Sequence, residues 1–305
     1  MPTDQWNQIL NAMSRTIIPA CRSTAVVAVV IFVIAVLAGP LTEGLAAQEN
    51  VLDEDRELVE EEKGTDDVGN LAKKSQNPVG DLVSLPFQNN TIFGFGPGDD
   101  VKNVLNIQPV YPIHLNQKWN LINRAILPVI YQPELVPGQG STFGLGDTSY
   151  TAFFSPREPG SLIWGVGPVI SIPTSTDIQV GPGEWAAGPS VVMLRMPGSW
   201  VVGVLASNIW SFDSDADINF FFSQIFVNYN MKDGWFLTSA PIITANWEAE
   251  SGQKWTIPIG GGGGRVFKMG KQAVNSSAQI FYNVEKPVLQ GDWIFRFQFT
   301  FLFPK

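Results

Sequence analysis

His114 is the only histidine of this chain, and Arg124, Arg195 and Arg296 are cations set in or beside apolar stretches. These are the side chains whose types could do chemistry. A Ser-His hydrolase would need His114 beside an activated serine, yet no G-x-S-x-G elbow occurs. Cys21 is the only cysteine, and scattered carboxylates around one histidine make no zinc-type ligand set. Asp213, Asp215 and Asp217 are spaced like the first ligands of a calcium loop. The glycine and terminal glutamate of such a loop are missing, so a solvated loop is expected. Gly260 to Gly264 is a run of glycines that no Gly-Lys-Ser/Thr follows, which argues against a phosphate loop. It reads instead as a stretch of strand against which another group packs closely. The expectation is therefore no catalytic residue, no metal and no cofactor. What remains is binding or passage, with the arginines facing an interior.

The elements that must hold those residues are strands. Trp293 to Phe303 reads WIFRFQFTFLF, with an aromatic residue at every second position. Alternate side chains of a strand point to opposite faces, so one face is wholly aromatic. The other carries Arg296, Gln298 and Thr300. A strand of about 9–11 residues crosses a bilayer in a β-barrel. Ala25 to Ala38 is an uncharged apolar run behind Arg15 and Arg22, followed by small residues at Ala46-Ala47. It reads as a secretory signal peptide over 1–47. Residues 48–80 read as an acidic, largely disordered periplasmic segment, with DEDRELVEEEK at its centre. Asp81 to Leu85 reads as a short helix that narrows the barrel mouth, and 81–305 as the barrel. The net charge of −9 argues against nucleic acid as a partner.

Short aromatic-rich segments separated by turn signals run near 101–114, 119–131, 145–155, 161–172, 185–196, 200–211, 218–230, 235–247, 255–267, 272–283 and 293–303, with a weaker one at 87–96. Tight, often basic connections alternate with longer acidic ones. That is the asymmetry of an outer-membrane barrel, with short periplasmic turns and long outer loops. Termini on one side require an even count, so the fold class is an all-β transmembrane antiparallel barrel of about twelve strands. Pro109, Pro112, Pro128, Pro168, Pro189, Pro241 and Pro258 fall inside these strands. Proline cannot donate to a ladder and a closed barrel has no free edge, so bulges or gaps are required there.

Alternation assigns Arg124, Arg195, Arg296, Gln298, Thr300, Asn275, Ser277, Gln279, Asn106 and Gln108 to the lumen, because an arginine facing mid-bilayer lipid is costly. Trp119, Trp164, Trp200 and Trp235 fall near the tight turns. Trp185, Trp210, Trp247, Trp255 and Trp293 fall near the long loops. The two groups match the aromatic girdles of the two interfaces.

The segments NPVGDLVSLPFQNNTIFGFGP (77–97), VLNIQPVYPIHLNQKWNLINRAILPVIYQP (104–133), GLGDTSYTAFFSP (144–156), LIWGVGPVISIPTSTD (162–177) and the ending FQFTFLFPK resemble outer-membrane proteins grouped with those of the phenol meta-pathway. The resemblance implies a Gram-negative outer-membrane barrel that passes small molecules, aromatic or apolar ones among them. It brings no catalytic residues. The acidic run lies outside it, and Pro304-Lys305 departs from the terminal aromatic usual for such barrels. The expected partners are outer-membrane lipid, the barrel assembly machinery and small solutes. The alternatives are a closed structural or adhesive barrel, an outer-membrane hydrolase using His114, and a secreted β-sandwich.

Overall fold

The computed structural model describes residues 68–212 and 217–304. The segment expected to be a signal peptide, the acidic run and the first two aspartates of the calcium-like triplet lie outside the described residues.

Fifteen strand segments form one antiparallel sheet that closes on itself. In chain order they are β1 (Val83–Phe95), β2 (Asp100–Ile107), β3 (Val110–His114), β4 (Trp119–Gln132), β5 (Thr142–Leu145), β6 (Thr148–Pro156), β7 (Ile163–Ile172), β8 (Ala186–Arg195), β9 (Trp200–Ser211), β10 (Asn219–Asn230), β11 (Trp235–Ser239), β12 (Ile242–Asn246), β13 (Trp255–Met269), β14 (Gln272–Glu285) and β15 (Trp293–Phe303). Three pairs, β2/β3, β5/β6 and β11/β12, are each one wall strand broken in the middle. The result is a closed 12-strand barrel. β15 zips antiparallel onto β1 from Val83 opposite Phe303 to Phe93 opposite Trp293. Closure matters because an open edge would leave unpaired backbone groups in hydrocarbon. Each of the twelve sequence segments falls on one wall strand, the weak segment at 87–96 becoming β1.

The prolines explain the irregularities. Pro109 lies in the break between β2 and β3, and Pro241 in that between β11 and β12. Pro258 sits at a register shift of β13 against β14. Pro168 and Pro189 face each other across β7 and β8. On its far side each loses its ladder: β6 and β7 are unpaired between Thr151/Val169 and Phe154/Val166, and β8 and β9 between Ala187/Trp210 and Ser190/Ser207. Pro128 lies where its neighbour strand breaks, and the Gly146 amide donates to its carbonyl. Pro112 lies beyond the start of β1, which touches β3 only at Val110. The wall bends where a missing N–H has already ended the ladder.

Parity along the register divides the side chains. The aromatic residues of β15 point outward, and Ile294, Arg296, Gln298, Thr300 and Leu302 point inward. Of the tryptophans within strands, Trp119, Trp164, Trp200, Trp210, Trp235, Trp255 and Trp293 all take the outward parity. Several stack edge-on near the rims, as Trp119 does on Trp164 at 5.9 Å and Trp247 on Trp255 at 5.3 Å. Their rings meet the interfaces, where an aromatic body and a polar N–H are both satisfied.

One stretch departs from the sequence expectation. The segment expected to stay outside the barrel as far as residue 80 has entered it by residue 68. Residues 68–75 form one short helix, α1, and the chain then turns through 76–82 into β1. Val83 to Leu85 belong to β1, so the helix expected at 81–85 is a strand. Alternation with β15 extends β1 downward, and the apolar spacing of Val68, Leu71 and Ala72 puts the helix one element earlier.

Candidate functional site

The inward residues of β15 read as layers of the lumen. Leu302, at the tight-turn end, packs with Ala72 of α1 and with Leu82, Phe236, Val266 and Ala273. Ile294, at the long-loop end, packs with Ile92, Phe95 and Phe281, and Leu135 of a long loop leans on that cluster. Between them Arg296, Gln298 and Thr300 join Gln88, Asn90, Gln108, Asn275, Ser277 and Gln279 in a polar belt. Side chains just fill a barrel of roughly eight strands, so twelve leave room at the level of this belt.

Residues 68–82 form a plug at the tight-turn end. Val79 is buried among Ile122, Phe153, Leu194, Leu205 and Phe226. Gly165 lacks the side chain that would crowd Val79, and Gly264 likewise clears space for the ring of Phe236. Burial of one such valine stabilises by about 1.5–3 kcal/mol. Two polar pins add direction. Gln76 and Asn230 exchange amide hydrogen bonds, 3.0 Å each way. The Asn275 Nδ2 donates to Ser75 Oγ at 2.9 Å, and that hydroxyl donates to the Ala72 carbonyl at 2.8 Å. His114 joins Asp81 at 2.7 Å on the rim. The histidine thus tethers the plug's exit, and no hydrogen bond to a serine accompanies it among the described residues.

The two central arginines occupy different settings. Arg296 Nε donates to Asn90 Oδ1 at 2.8 Å, one terminal nitrogen donates to the Ala240 carbonyl at 2.6 Å, and its guanidinium lies 4.8 Å over the ring of Phe281. Ala240 is the residue at the β11/β12 break, and its amide donates to Gln279 Oε1 at 3.1 Å. Two lumen side chains therefore supply the hydrogen bonds that Pro241 removes from the ladder. Arg124 instead donates to Gln108 Oε1 at 2.7 Å, and Gln108 Nε2 donates to Gln88 Oε1 at 3.3 Å. Arginine is donor-only, so its partner must present oxygen, and the direction passes on along the chain of amides. It ends at Gln88 Nε2, a buried donor with no acceptor among the described residues. Among the described residues neither arginine has a carboxylate within ion-pair distance.

Arg124 borders a cavity of about 170 Å³ between plug and wall. Gln88, Gln108, Asn275, Ser277, Gln279 and Gln298 line it, as do Lys74 to Pro78 of the plug. Asn106 stands opposite Gln88 in the register and shares its inward face. Arg195 is a correction. It pairs with Val202, one step out of phase with Val192 and Leu194, so it points outward rather than into the lumen. It is the last residue of β8, at the interface, where the cost of an outward arginine falls to about 0–1 kcal/mol. The missed elements are the plug and the cavity it closes. The apolar triplet in 68–72 was their sole sequence signal.

No protein-family model and no curated sequence matches the chain. Solved structures do. An outer membrane channel of the COG4313 group from Pseudomonas putida F1 superposes with a TM-score of 0.60 at 17% identity, covering 74% of this chain and 97% of that one. The chain has the fold of an outer-membrane β-barrel. The outer membrane phospholipase A of Escherichia coli is a more distant likeness: TM-score 0.42 at 11% identity, covering 77% of this chain and 98% of that one. Salmonella typhi OmpF reaches 0.35 at 9%, covering 72% and 97%. At these identities the likeness speaks to fold.

Proposed function

We propose that this barrel is a passive outer-membrane pore or transporter for small molecules, aromatic or apolar ones among them, kept closed at rest by its own residues 68–82. The observation that carries this reading is the polar belt. Amides and guanidiniums cost free energy to bury; Arg296 and Gln279 of this belt serve the wall, while Arg124, Gln88 and Gln298 line open space that a merely rigid barrel would not need. A solute moving down its gradient would pass Arg296, Gln279, Gln298 and Arg124 and then meet the plug. Asn106, Gln108, Asn275, Ser277 and Thr300 complete the path. The plug is held by two polar pins, the His114–Asp81 tether and the packing around Val79 and Ala72, all noncovalent contacts that shifting it would break. The similar Pseudomonas putida barrel is an outer membrane channel, and the resemblance to the phenol meta-pathway group supports aromatic solutes. Tight turns face the periplasm on this reading, and the Phe303 strand is what the assembly machinery engages.

Planar bilayers with the full-length protein test it. Rare openings are expected for the wild type, and more frequent ones when Asn230 or Asn275 becomes alanine. A barrel silent in all three forms overturns the proposal. That outcome would favour a closed structural barrel, for which the packed plug is the supporting observation.

A further inference from the structure

The cavity against the plug has more to say than that the lumen is polar. Among the described residues its charged lining groups are Arg124 and Lys74, and no carboxylate lines it. The hydrogen bonds around Arg124 all run one way, ending on Gln88 Nε2 with no acceptor. Only one of the guanidinium's five N–H groups has a side-chain acceptor in that chain. Arg124 is half-buried and borders the cavity, whereas Arg296 shows how this barrel satisfies a guanidinium when nothing else is to bind there. Val110 stands beside Arg124 across the ladder, and Leu205, Phe226 and Phe236 of other wall strands add apolar surface between Gln224, Asn228 and Thr238. The space therefore offers cationic donors together with apolar patches. A cavity of about 150 Å³ accommodates a benzene-sized molecule, so 170 Å³ suits one small ring and its substituent.

We propose that this cavity binds a small organic carboxylate, its anionic head on Arg124 and Lys74 and its apolar body against Leu205 and Phe226. The bound anion touches wall and plug together, and so occupies a waiting position at the closed end. This deepens the pore reading, on which it rests, by naming the solute class. A guanidinium meets a planar carboxylate with two parallel N–H donors, a geometry that chloride cannot match.

Calorimetric titration of the full-length protein in detergent, with benzoate as the probe in chloride buffer, tests it. Saturable binding is expected. Benzyl alcohol, of similar size without the charge, should bind roughly tenfold or more weakly, since a charge-assisted pair is lost. Arg124→Gln should lose benzoate by a similar factor. Should that variant fold poorly, Gln108→Glu serves instead, because it gives Arg124 an internal partner at nearly constant volume and is expected to abolish binding. Arg195→Gln, on the outer face, should bind as the wild type does. Equal binding of benzyl alcohol, full competition by inorganic phosphate, or undiminished binding in both Arg124→Gln and Gln108→Glu would overturn the assignment. Conductance recorded in chloride alone separates the two readings. Benzoate binding with a silent barrel sinks the pore and leaves the site, whereas an active pore without benzoate binding does the reverse.

Discussion

Arg296 and Arg124 sit in one lumen on the same polar belt, and they differ in what surrounds them. Arg296 has an amide oxygen, a backbone carbonyl and an aromatic face. It belongs to the wall, because the carbonyl it caps is left over from the strand break at Pro241. Arg124 has one amide oxygen at the head of a relay that runs out of acceptors, and it borders open space. The difference teaches that an inward cation in a barrel is not by itself a sign of transport. Its partners decide whether it holds the wall together or waits for something to bind.

The comparison can be broken most decisively at Arg296. Replacement by methionine strands Asn90 Oδ1 and the Ala240 carbonyl, each formerly bonded to a charged donor at about 1.5–3 kcal/mol. A loss of about 3 kcal/mol or more is expected in guanidinium unfolding of the detergent-solubilised barrel, and unchanged stability would erase the contrast. Arg124→Met sharpens it from the other side. Arg124 gives up one charge-assisted bond where Arg296 gives up two, so the expected cost is about 1.5 kcal/mol, half as much, while the preference of open channels for anions over cations should fall. Asn275→Ala removes a pin of the plug and should cost about 1 kcal/mol of closed state. That corresponds to roughly a fivefold rise in open probability in bilayer recordings. Smallest is Asp81→Asn at the rim, where both partners are well exposed. Exposed ion pairs contribute about 0–1 kcal/mol, so thermal stability should move little.

The walls were legible in the sequence because a strand's face is set by period-two alternation, a local property. β15 announced its own two faces, and the alternation of tight and long connections gave the even count. The break at Pro109 and the gap at Pro241 followed from a missing N–H. Arg195 misled because inward placement assumed it sat mid-membrane, and depth along a strand depends on where its turns fall.

By itself the sequence determined the barrel: the number of wall strands, their outward aromatics, the amides and arginines that would face inward. Only the tertiary structure decided which inward groups meet. Gln88, Gln108 and Arg124 come from three separate stretches of wall, and they form a relay because register aligns them. The plug is decided the same way. A helix of so few residues is unstable alone, and 68–75 folds where a closed ring offers it Leu302, Phe236 and Val266. Local alternation needs no partner, whereas burial inside a lumen exists only once the last strand has met the first.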